Sequence, residues 1–196
     1  GIVGICSGMV INCTNYGKLS TNILMAQNHV GGIAGLVYGI NAQVVNCCNE
    51  ATVIGYFCVG GIAGAVKSGG SIEACANYGT VKGNSIFGGI AGRISTSGVY
   101  SNGNAKQSMI RNVYNLGTIG SWGTTAVLNE AGGIVGEMGY ENWKQEYLPP
   151  MPVIEQAYSI DNWKDRGVSD SRSGAVIGYA LSGAYGTVYG KEGSGM

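Results

Sequence analysis

The chain has 196 residues, 36 of them glycine, with 11% charged residues and a formal net charge of zero. Collagen is excluded, because the glycines do not fall on every third position and only three prolines are present. An apolar content of 45% without net charge excludes a disordered chain, and balanced Lys/Arg and Asp/Glu leave no basic field for nucleic acid or an acidic membrane. No apolar run approaches the ~18 residues of a membrane helix, so direct membrane insertion is not expected. Abundant Gly beside Val, Ile, Tyr and Asn points to many short strands joined by tight turns. The chain starts at Gly1 without an initiator Met or signal peptide, which suggests a mature or excised piece.

Self-similarity runs the length of the chain. Gly31-Gly32-Ile33-Ala34-Gly35 recurs at Gly60–Gly64, Gly88–Gly92 and, with Val for Ala, Gly132–Gly136. Reduced copies stand at Gly1–Gly4 and Gly174–Gly178. The central residues Ile33, Ile62 and Ile90 are spaced at about thirty residues, a solenoid period. The longer steps to Ile134 and Val176 read as the same period with insertions, placed near 95–108, 120–130 and 137–152.

A second block follows each of the first five copies: Asn12-Cys13-Thr14-Asn15-Tyr16-Gly17, then Asn46–Ala51, Ala74–Gly79, Asn112–Gly117 and the weaker Gln156–Ile160. Six residues beyond its Cys column come Leu19, Val53, Val81, Ile119 and Trp163.

At strand period two, Ile33, Gly35 and Val37 share one face, and Ala34 and Leu36 the other. In later copies the second set acquires Arg93 and Glu137, so the Ile-Gly-Val face is predicted to point inward. Val10, Val44, Ile72, Ile110 and Ile154 precede the Cys column by three and form a second wall. Inward residues three apart break alternation, so a bend is predicted at Asn12, Asn46 and Asn112, whose stacked amides could form a ladder. Thr52-Val53, Thr80-Val81 and Thr118-Ile119 make a third wall.

Three short strands per repeat describe an all-β fold: a right-handed parallel β-helix of about six turns, one domain over 1–196. Helical repeats would carry Gly every few residues, at about 1 kcal/mol each. A β-sandwich is the next alternative. Because a β-helix exposes sheet edges at its ends, the chain is expected to be a segment of a longer solenoid or to make end-to-end contact with a neighbouring domain.

Gly-Gly-Ile-Ala-Gly, with its Val variant, resembles the GLUG motif, and Asn-Cys-x-Asn-x-Gly is similar to what accompanies it. Such repeats occur in surface proteins of Gram-positive and gut bacteria and in N-terminal regions of immunoglobulin A proteases. The resemblance implies a β-helix in an extracellular or cell-surface bacterial setting, and it carries over no catalytic residues.

Candidate chemistry is sparse. Cys13, Cys47 and Cys75 share a column that continues as Val113 and Ala157, so they read as packed free thiols. Their parallel side chains suit a disulfide poorly. Were the protein extracellular, such unpaired thiols would favour an anoxic habitat. No metal and no cofactor is expected: His29 is the single histidine, and the cysteines are stacked rather than set in Cys-x-x-Cys knuckles. Gly61–Ser68 superficially resembles a phosphate-binding loop, but Val66 stands where Gly must precede the Lys. A Ser or Cys nucleophile would lack a base near it in sequence.

Eight of the eleven carboxylates lie at Glu130, Glu137, Glu141, Glu146, Glu155, Asp161, Asp165 and Asp170. With Tyr140, Trp143 and Tyr147 they mark the 137–170 region as the expected contact surface, and Tyr140, Glu141, Trp143 and Tyr147 as its ligand-binding candidates. The leading expectation is a non-enzymatic structural or adhesion module with a host protein or glycan as partner. The alternatives are a glycan-active hydrolase or lyase using paired carboxylates, and an accessory domain of a large surface protease.

Overall fold

The computed structural model describes residues 1–21, 29–96, 106–121, 130–140, 151–160, 162–163, 173–174 and 176–180. Every strand pair among them is parallel, and the chain passes through four sheets in turn before it returns to pair beside its own earlier copy. This all-β, parallel-strand architecture is the one the repeats predict, consistent with a β-solenoid. Among the described residues no helix is long and apolar enough to cross a membrane.

Four sheets result. The first stacks Val3–Cys6, Ala34–Tyr38, Ala63–Lys67, Ala91–Thr96, Val135–Tyr140 and Ile177–Ala180. The second has eight strands: Met9–Ile11, Gln43–Val45 and Ser71–Glu73, then Thr14–Asn15, Cys48–Asn49 and Ala76–Asn77, with Met109–Asn115 and Val153–Ser159 each spanning both rows. Leu19–Ser20, Val53–Ile54, Val81–Gly83, Thr118–Ser121 and Asn162–Trp163 make the third. The fourth, which the sequence reading missed, stacks Val30–Gly31, Val59–Gly60, Ile86–Gly88, Glu130–Gly132 and Ser173–Gly174.

The fourth sheet splits the Gly-Gly-Ile motif between two walls. Its first Gly ends one strand, the second Gly and the Ile make a corner, and the next strand begins at the Ala. The corner demands glycine for space: a Cβ on Gly31 would sit 2.6 Å from the Ala63 Cα. The same turn corrects the facing of Ala34, Ala63 and Ala91, which are fully buried although they are one residue out of phase with the inward set. Further along the column the outward facing holds, and Arg93 stands in register with Glu137.

Two cores fill the section. The larger joins Ile33, Ile62, Ile90 and Ile134 to Val44, Ile72, Ile110 and Ile154, with Cys47 and Cys75 among them. Each such aliphatic side chain contributes roughly 1.5–3 kcal/mol by leaving water. A smaller core of Val53, Val81 and Ile119 against Val30, Val59 and Phe87 lies between the third and fourth sheets.

The bend expected in the second sheet is present. Asn12, Asn46, Ala74, Asn112 and Gln156 all have positive φ, between 50° and 56°. Their side chains do not form the expected ladder: only Asn46 Nδ2 donates to Asn12 Oδ1, at 2.7 Å, because Ala74 interrupts the column. Asparagine tolerates this conformation better than alanine. Ala74→Asn is therefore expected to stabilise the protein by roughly 0.5–1 kcal/mol in urea unfolding.

The amide ladder instead runs through the other asparagine of the block. Asn15 Nδ2 donates to Asn49 Oδ1, Asn49 to Asn77 and Asn77 to Asn115, each at 2.8 Å, and Asn115 ends on the Ser159 hydroxyl at 3.3 Å. Asn49, Asn77 and Asn115 are fully buried. The second glycine of each pair makes room for them: a Cβ on Gly32, Gly61 or Gly89 would lie 2.5 Å from an amide atom of Asn49, Asn77 or Asn115 respectively. The two sequence blocks are thus the two halves of one packing unit.

Candidate functional site: a tyrosine strip on the eight-stranded sheet

Residues that follow an inward side chain on this sheet must face out, and the repeat places tyrosine there. Tyr114 and Tyr158 follow the buried Val113 and Ala157 and are in register on adjacent strands. Tyr78 follows the buried Asn77 and reaches across the rung: its hydroxyl lies 3.0 Å from that of Tyr114, with the rings edge-to-face at 5.9 Å between centroids. The shared hydrogen bond pushes the Tyr78 phenol up to about 12. All three rings stay 39–47% exposed, an uncommon concentration of aromatic surface on one sheet.

Charge flanks the rings. Three residues before Tyr114, Arg111 Nη2 meets Glu73 Oε2 at 2.8 Å, and Glu155 is in register with Arg111 on the other side. Both partners of the ion pair remain substantially exposed, so solvent screens it and it adds little to stability. What it supplies is a polar border to an apolar strip. Tyrosine and arginine together are the side chains enriched where proteins bind partners, offering ring faces, hydroxyls and a planar donor fork.

A second charged cluster has a structural role. Arg93 Nε donates to Glu137 Oε2 at 3.0 Å, and its guanidinium stands 5.7 Å from the centre of the Phe57 ring. The pair is largely covered, with Arg93 24% and Glu137 12% exposed at the side chain. Beside it the buried Cys58 thiol is pushed up to about 12, chiefly by loss of solvent, which leaves it a poor nucleophile.

The structure places the sequence candidates unevenly. The Tyr140 backbone closes the strand Val135–Tyr140 in register with Thr96. Glu141, Trp143 and Tyr147, with Glu146, lie outside the described residues, and so does the Tyr140 side chain. Glu155 is on the surface of the eight-stranded sheet, whereas Glu137 is committed to Arg93, so these two carboxylates are not brought together. The column residues Ile33, Ile62, Ile90, Ile134, Cys47 and Cys75 are buried as expected, with Cys13 half-buried above them. The tyrosine strip was missed, although the alternation of Tyr with inward Val, Ala and Asn carried the signal.

No family model, curated protein or solved structure matches this chain.

Proposed function

We propose that this chain is a non-enzymatic, cell-surface structural and adhesion module: a right-handed parallel β-helix of about six turns whose outer face carries a recognition strip. The observation that carries this reading is the exposed in-register pair Tyr114 and Tyr158, with Tyr78 hydrogen-bonded to Tyr114 from just past the end of its strand, beside Arg111. In-register strands hold successive rows ~4.8 Å apart, so the rings are positioned before a ligand arrives and little ordering entropy is lost on binding. Six rows at that rise give a rod of about 30 Å.

The strip suits a host protein or a glycan, since tyrosine faces stack on sugar rings and fill apolar pockets alike. Resemblance to GLUG repeats supports an extracellular or bacterial cell-surface setting.

The test is a screen of glycans and host surface proteins with the wild type, a Tyr78/Tyr114/Tyr158→Ala variant and a Tyr140/Trp143/Tyr147→Ala variant. The strip variant should bind at least about tenfold more weakly, the effect of losing one well-packed aromatic anchor or more. Binding that survives in the strip variant and disappears in the other would move the site to the 137–152 region. A wild type that binds nothing in the screen would contradict the adhesion reading and leave the spacer role alone.

A further inference from the structure

The cysteine column has a geometry that core packing alone does not require. Cys13 N–H donates to Cys47 Sγ and Cys47 N–H to Cys75 Sγ, both at 3.4 Å. Each thiol in turn donates to the carbonyl two residues before it, Cys13 to Ile11 at 3.3 Å, Cys47 to Val45 at 3.3 Å and Cys75 to Glu73 at 3.2 Å. Identical hydrogen bonding puts the side chains in one orientation, so the sulfurs repeat at about the strand spacing, ~4.8 Å.

That spacing selects the chemistry. A disulfide needs sulfurs ~2.05 Å apart and Cβ atoms ~3.5–4.5 Å apart, twisted toward one another, and all six cysteines are free. Tetrahedral zinc needs four converging ligands, and among the described residues no group of three or more His, Cys, Asp or Glu is arranged to hold a metal. A linear two-coordinate cation needs only two thiolates. With metal–thiolate bonds of about 2.3 Å it would hold them ~4.6 Å apart, close to the spacing that neighbouring strands impose.

We propose that Cys13 and Cys47 form a two-coordinate site for a soft monovalent cation of the Cu(I) class. Binding breaks two S–H bonds and forms two S–metal bonds. Both protons leave to solvent and nothing is oxidised, so the bridged unit carries one negative charge. Soft thiolates favour Cu(I) over harder ions.

The surroundings accommodate that charge. The Cys13 N–H already points at the Cys47 sulfur. When Cys47 loses its proton, the Val45 carbonyl keeps the Asn12 N–H as a donor at 3.1 Å. Cys47 is buried and Cys13 half-buried, whereas Cys75 below them is wholly enclosed.

The full chain, reduced and kept free of oxygen, is titrated with Ag(I) as a redox-silent probe and with Cu(I) held by a competing chelator. The readouts are thiolate-to-metal charge-transfer absorbance and metal retained after desalting. Wild type should retain one equivalent that is lost in Cys13→Val and in Cys47→Val, while Cys48→Ala keeps it. Val113 occupies the same column, so valine is compatible with the fold. Should Cys47→Val fail to fold, the half-buried Cys13→Val decides. A wild type that retains no metal, or an equivalent that survives in Cys13→Val, overturns the proposal.

Discussion

Asn77→Ala is expected to lower the free energy of unfolding by about 3 kcal/mol, the sum of a few buried polar groups left short of partners at roughly 1–3 kcal/mol each. Asn77 Nδ2 donates to Asn115 Oδ1 at 2.8 Å and to the Gly79 carbonyl at 3.1 Å, and its Oδ1 accepts from Asn49 at 2.8 Å. The neighbours are not wholly stranded. Asn49 Nδ2 keeps the Ala51 carbonyl at 2.9 Å, and Asn115 Oδ1 keeps the Gly117 N–H at 3.2 Å. The Gly79 carbonyl loses its side-chain donor, and a cavity opens where the amide stood. Equilibrium urea unfolding measures the effect. Asn12→Gly, at an exposed asparagine with φ near 56°, should stay within about 0.5 kcal/mol of wild type.

Gly61→Ala is expected to cost as much or more, about 3 kcal/mol or above, although it adds one methyl group. A Cβ there would lie 2.5 Å from Asn77 Oδ1 and would also meet the Gly89 carbonyl, well inside contact distance. Neither obstacle swings away easily. Asn77 is fixed by its three hydrogen bonds, and the Gly89 carbonyl accepts the Gly61 N–H at 3.2 Å. The damage therefore passes to the next strand. Gly8→Ala supplies the control: no heavy atom lies within 4 Å of the added carbon, and the change should be within about 0.5 kcal/mol of neutral.

The parts of the fold legible in the sequence are those written as repeated apolar columns. Leu19, Val53, Val81, Ile119 and Trp163 are in register through the third sheet, as their constant distance from the Cys column required. Two features escaped for physical reasons. Asparagine ordinarily reads as a turn residue, and only the packing reveals that Asn49 and Asn77 face the interior against Gly32 and Gly61. The fourth sheet escaped because its strands are two or three residues long and end in the glycine that the repeat pattern assigns to the next wall. The tyrosine strip was readable from parity, yet tyrosine on a half-buried strand is ordinary enough that nothing in the sequence separates a contact surface from a packed one. The 141–150 candidates lie outside the described residues.

The Gly-Gly corners and the buried Asn column of the eight-stranded sheet are mutually fitted across the interior, and this fit fixes the packing that holds the tyrosine strip. A double-mutant cycle between Gly61→Ala and Asn77→Ala tests it most directly. Removing the Asn77 amide takes away one of the two groups that the methyl added at position 61 would strike, so the double variant should be more stable than the sum of the single losses predicts. A coupling of about 1 kcal/mol or more is expected, within the range for residues in contact. Additive losses would mean that the two positions do not touch, and would contradict the packing that joins the two columns.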